Sequence, residues 1–210
     1  IKLNGQKILN NTIDFGFNGG IAIPFEKFNE QQGNKITEYI GVNGEGATGL
    51  YGDNGRVKSF VAKINEIKLG TLILNNSIVD ATPGRDHLFG LEFFKNYRVI
   101  INWVSKRIKL IEAIPKDYSP INDYGISYSF DGNMLYVSSL VEGSSAAEFL
   151  QLDDQIISVD GKNYTQLEEK EFCGIWLNHL FDELTNKVSI EIVRNEQPMI
   201  FELEKRILLK

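Results

Sequence analysis

His87-Leu88-Phe89-Gly90-Leu91-Glu92-Phe93-Phe94-Lys95-Asn96-Tyr97-Arg98-Val99-Ile100-Ile101-Asn102 decides how the first half of the chain is read. An apolar pair and a glycine lead into a short run with apolar residues at helical spacing, and a β-branched run follows. The pattern predicts a helix over Gly90–Lys95 and a strand over Tyr97–Asn102. Far upstream, Ile13-Asp14-Phe15-Gly16-Phe17-Asn18-Gly19-Gly20 puts an acid at the end of an apolar strand and a glycine-rich turn directly after it. Taken alone, such an Asp is a turn or capping residue.

Between these stretches the chain reads as short strands with frequent turn signals. Strands are expected at Gln6–Asp14, Gly20–Ile23, Arg56–Ile64, Ile67–Leu69 and Leu72–Ile78, with a further one at Arg107–Ile111. Turns are expected at Asn4-Gly5, Gly19-Gly20, Asp53-Asn54-Gly55 and Pro83-Gly84. Pro24–Gln31 reads as a short helix. Glycines crowd at Gly41, Gly44, Gly46, Gly49, Gly52 and Gly55. So many glycines between strands predict a hairpin or loop that moves readily.

In order and spacing, residues 1–112 resemble the retropepsin-like aspartic peptidases. The resemblance rests on the Asp14 loop, the Leu88-Phe89-Gly90 segment with its helix and strand, and the opening Lys2-Leu3-Asn4-Gly5-Gln6 hairpin. It implies a closed β-barrel lobe in which Asp14 is catalytic. Phe15 and Gly16 complete the loop, while Leu88, Phe89 and Gly90 fold against it. Tyr39–Phe60 takes the place of the flap, with Gly44, Glu45, Gly46 and Ala47 at its tip. Two carboxylates held close cannot both ionise, so one keeps a proton while the other activates water against a peptide carbonyl. This chain has one such loop; Phe130-Asp131-Gly132 and Val159-Asp160-Gly161 lack the rest of the pattern. The resemblance therefore implies a homodimer with one Asp14 from each copy. Position 15 departs from the family, which has Thr or Ser there to hydrogen-bond across the dimer. Two readings follow: an aspartic endopeptidase, or a non-catalytic peptide-binding or scaffold protein that keeps the fold.

Pro115-Lys116-Asp117-Tyr118-Ser119-Pro120 breaks the strand pattern and reads as a linker. The expected organisation is a domain over 1–114, a linker over 115–122 and a second domain over 123–210. In the second half, strands are expected at Ile126–Phe130, Leu135–Leu140, Gln155–Val159, Val188–Arg194 and Met199–Glu204. Helices are expected at Ser144–Phe149 and about Glu169–Leu184. Asp123-Tyr124-Gly125-Ile126, Glu142-Gly143-Ser144-Ser145-Ala146-Ala147-Glu148 and Leu152-Asp153-Asp154-Gln155-Ile156 resemble a PDZ domain, an α+β, partly open barrel. That resemblance implies peptide binding along Ile126, Ser127 and Tyr128, with a terminal carboxylate on the N–H groups of Tyr124, Gly125 and Ile126. The whole chain is thus expected to be mainly β.

Composition narrows the partners. A formal net charge of −6 disfavours a nucleic-acid backbone. No apolar run reaches the length of a membrane span. The single cysteine, Cys173, excludes an internal disulfide framework. His87 and His179 are not spaced as a metal pair, so neither metal nor cofactor is expected. Gly44-Glu45-Gly46-Ala47-Thr48-Gly49 matches a phosphate-loop pattern, yet no helix is expected after it. The start at Ile1, with no leader-like segment, reads as processing or truncation. Family resemblance alone points to a periplasmic or secreted protein.

Overall fold

The computed structural model describes residues 1–9, 11–45, 48–49, 52–53, 55–112, 120–177, 180–181 and 185–210. Strand makes up 55% of the chain and helix 12%, so the protein is mainly β. It divides into two compact units: Ile1–Tyr39 with Gly46–Ser119, and Ile40–Glu45 with Pro120–Lys210. Each has its own apolar core.

In the first unit, Asn4 and Gly5 both take positive φ (45° and 84°), which closes a tight hairpin between Lys2–Leu3 and Gln6–Lys7. Leu3 and Asn4 then hold the long strand Arg56–Leu69. Leu3 pairs with Ile67, Asn4 N–H donates to Glu66 O, and Glu66 N–H donates to Asn4 Oδ1. These contacts carry one strand straight through Asn65-Glu66, where the sequence predicts a break. Arg56–Leu69 pairs antiparallel with Leu72–Thr82, whose Ser77, Val79 and Ala81 alternate inward. Leu72–Thr82 pairs in parallel with Ile21–Pro24, and Ile21–Pro24 pairs antiparallel with His87–Phe89. His87–Phe89 pairs in parallel with Asn11–Ile13. The sheet ends on that strand, so among the described residues the expected closed barrel does not form. The predicted strand Gln6–Asp14 is two short pieces, because Ile8 turns into the core between them. Phe25–Gln31 is helical and buries Phe28 against Phe60.

In the second unit, Ile126–Phe130 pairs with Leu135–Val141, which pairs at its start with Gln155–Val159. Lys187–Arg194 and Gln197–Glu204 continue the sheet as an antiparallel ribbon. Gln155–Val159 leaves the later part of Leu135–Val141 uncovered. Val42, Asn43 and Gly44 pair there with Val141, Leu140 and Ser139. Ser145–Phe149 is a single helical turn capped by Ser144 Oγ, which accepts from Ala147 N–H at 3.1 Å. Of the predicted linker 115–122, residues 115–119 lie outside the described residues. Its expected end is strand: Ile121–Asp123 pairs with Arg206–Leu209. Glu169–Leu177 is helical, shorter than the stretch to Leu184 that the sequence suggests, and 178–179 and 182–184 are not described.

Candidate functional site

Asn11–Ile13 and Ile21–Pro24 flank His87–Phe89, and the turn joining these outer strands carries Asp14. Asp14 is half-buried, and its N–H donates to Phe89 O at 3.0 Å. Gly16 N–H donates to Asp14 Oδ1 at 2.8 Å, and Phe17 N–H donates to Asp14 O at 3.2 Å. Main chain therefore fixes the acid from both sides.

The Leu88-Phe89-Gly90 segment does lie against this turn. Gly90 N–H donates to Gly20 O (2.8 Å), Leu91 N–H to Phe17 O (2.8 Å) and Glu92 N–H to Gly19 O (3.2 Å). The loop carbonyls thus satisfy N–H groups at the start of the Leu91–Phe94 helix. A Cβ at Gly90 would lie 2.2 Å from Gly19 O and 2.5 Å from Phe17 O. Only glycine lets the two backbones come this close. Leu88 is half-buried in the central strand, and Phe89 is in the core against Phe93.

Phe15 is 46% exposed, with its ring 5.1 Å from that of Phe94. An apolar cavity of about 200 Å³ adjoins the turn, lined in part by Ile13, Phe89, Phe94 and Leu110. Sequence reasoning missed Arg85 and Asp80. The Arg85 guanidinium lies 4.8 Å over the Phe17 ring, bracing the turn from outside. Burial pushes the Asp80 carboxyl up against the pull of Arg85, and burial pushes Arg85 down. The turn signal Pro83-Gly84 was visible; that it folds Arg85 back onto Phe17 was not.

His87 is 1% exposed, and its Nδ1 is bonded to Asn11 Oδ1 across the parallel pair. Burial, helped by the N-terminal ammonium, lowers its pKa to about 4. An unfolded imidazole titrates near 6.5, so the unfolded chain binds the extra proton first on acidification. Stability from neutral His87 is complete above about pH 6.5 and is lost progressively as pH falls towards 4, by about 3 kcal/mol in all. Urea midpoints measured from pH 7 to pH 4 should fall steeply in the wild type and less in His87→Leu. Because His87 and Asn11 join the strands that hold Asp14, acid should loosen this site first.

The expected flap differs. Gly44 lies in strand at φ +148°, and a Cβ there would be 2.2 Å from Ser138 O. This glycine lets the two strands approach closely. Glu45 accepts from Ser129 Oγ at 2.6 Å and Tyr136 OH at 2.9 Å, all within the second unit. Gly46 and Ala47 lie outside the described residues.

The expected carboxylate cradle is also altered. Gly125 N–H already donates to Asp123 Oδ1 at 2.6 Å, so a carboxylate of the chain itself holds that donor and would repel another. Tyr124 is fully buried, with its hydroxyl on Thr185 O. Ile126–Phe130 pairs with Leu135–Val141 on one edge, and Ser127 stands exposed opposite Ser139. Tyr128 OH donates to Ile175 O (3.3 Å) and accepts from Leu180 N–H (3.2 Å), while Phe130 stacks on Phe172 at 4.7 Å. Tyr128 and Phe130 thus tie this strand to the Glu169–Leu177 helix.

No family model matches the chain, and no curated protein matches it significantly.

Proposed function

We propose that the protein is an aspartic-type endopeptidase, active as a homodimer in which each copy contributes Asp14. The observation that carries this reading is the Asp14 turn clamped on Leu88-Phe89-Gly90, with Gly90 too close to two carbonyls to bear a side chain. Such clamping serves a carboxylate that must be held in a fixed geometry before substrate arrives. In the dimer, one Asp14 activates water and its protonated counterpart polarises the peptide carbonyl. The apolar cavity beside the turn offers room for one apolar side chain of a peptide. In the second unit, the edge of Ile126–Phe130 is the candidate for adding an extended peptide as a strand. Asp123 on the Gly125 N–H favours an internal peptide segment there over a free terminal carboxylate.

The second reading, a non-catalytic scaffold with a retropepsin-like lobe and a PDZ domain, is favoured by Phe15, which brings no hydroxyl to the loop. A pepstatin-sensitive peptide-cleavage assay separates the two. The peptidase reading expects hydrolysis that falls by about 10²–10⁴-fold in Asp14→Asn. The scaffold reading expects none from wild type, Asp14→Asn or Phe15→Thr.

A further inference from the structure

We propose that the hairpin of Tyr97–Asn102 and Arg107–Glu112 docks the protein on an anionic lipid surface through its turn. The two most exposed large apolar side chains of the described residues are neighbours in that turn: Trp103 is 81% exposed and Val104 98%. Asn102 Oδ1 accepts from Ser105 N–H at 2.8 Å, and Lys106 takes φ 51°, so a defined turn presents the pair. Directly behind it, Ile101 pairs with Ile108, both more than a third exposed. Water is a poor solvent for this tip, and nothing else among the described residues covers it.

Charge selects the partner. Arg98, Lys106, Arg107 and Lys109 stand on the hairpin against one carboxylate, Glu112, in a chain of net charge −6. Among the described residues none of the four is in an ion pair. A Trp at the tip with cations behind it matches a bilayer interface, where the indole settles at headgroup level and the cations meet lipid phosphates. A protein partner fits less well. A two-residue convex tip offers an area on the order of 200–300 Å², against about 800 Å² per partner in a stable protein interface. Surface docking needs no spanning segment, and none of the described helices is long and apolar enough to cross a membrane.

The test is co-sedimentation of the full chain with phosphatidylcholine vesicles, with and without phosphatidylglycerol. Binding is expected only with the anionic lipid and should weaken as salt rises. It should fall by about tenfold or more in Trp103→Ser/Val104→Ser, and likewise in Lys106→Glu/Arg107→Glu. All four positions are exposed, and unchanged circular dichroism of each variant confirms that the fold survives. Absence of binding to anionic vesicles overturns the proposal, as does binding that the double variants leave unchanged. Self-association in sedimentation velocity that Trp103→Ser abolishes, with no vesicle binding, overturns it in favour of a second copy. Peptide cleavage plays no part in the readout, so the outcome is independent of the peptidase reading.

Discussion

Gly90→Ala is expected to abolish peptide cleavage and to destabilise the first unit by about 1–3 kcal/mol. The backbone at Gly90 is ordinary, with φ −106° and ψ −173°, so the new residue meets no conformational strain. The cost is steric. The added Cβ would sit 2.2 Å from Gly19 O and 2.5 Å from Phe17 O, and main-chain atoms cannot swing aside as a side chain would. To make room, the Asp14 turn must leave the Leu91–Phe94 helix and give up the bonds from Leu91 and Glu92 N–H. A small displacement of a catalytic acid costs far more rate than stability. Gly5→Ala is the control: Gly5 has φ +84° and nothing within 4 Å of a Cβ, so it tests backbone strain without a clash. Urea unfolding should show both variants weakened, with cleavage lost only in Gly90→Ala. An active Gly90→Ala with wild-type stability would mean that the close approach of turn and helix is not what holds Asp14.

Arg194→Ala is expected to destabilise the second unit by about 2–4 kcal/mol. Asp154 is 2% exposed, and its carboxylate accepts from Arg194 Nε at 2.7 Å and Nη2 at 2.5 Å. With the guanidinium gone, the buried carboxylate loses its cation; Gln151 N–H remains on Oδ2, while Oδ1 loses the donor that Arg194 Nε supplied. Arg194 also donates to Phe149 O at 2.9 Å, which ties Lys187–Arg194 to the end of the Ser145–Phe149 helix. Arg206 and Glu148 form a similar two-bond pair, but both lie in solvent. Arg206→Ala should leave the urea midpoint almost unchanged. Equal losses from the two substitutions would show that burial of Asp154 is not what makes its pair matter.

What could be read in the sequence was local. The short helix after Gly90, the strand Tyr97–Asn102 and the Asn4-Gly5 turn follow from periodicity and turn chemistry within a few residues. Placing Leu88-Phe89-Gly90 on the Asp14 turn needed a resemblance, since neither stretch encodes its distance from the other. A glycine run such as the one from Gly41 signals freedom to move and close approach equally well. Gly44 is there for approach, to a strand almost a hundred residues on, and nothing nearby in sequence reveals that partner. The Gly125 loop failed similarly: its glycine was legible, but not that Asp123 would turn its own carboxylate onto the Gly125 N–H. Asn65-Glu66 reads as a strand break, and pairing from Asn4 overrides it.

Mixing wild-type chain with Asp14→Asn chain shows whether two copies share one dyad. After subunit exchange at fixed total concentration, the shared dyad predicts that cleavage falls as the square of the wild-type fraction, because every mixed dimer lacks one acid. Cleavage that falls in simple proportion to that fraction would place the whole catalytic apparatus in a single copy and rule out the shared dyad, as would a wild-type protein that cleaves no peptide.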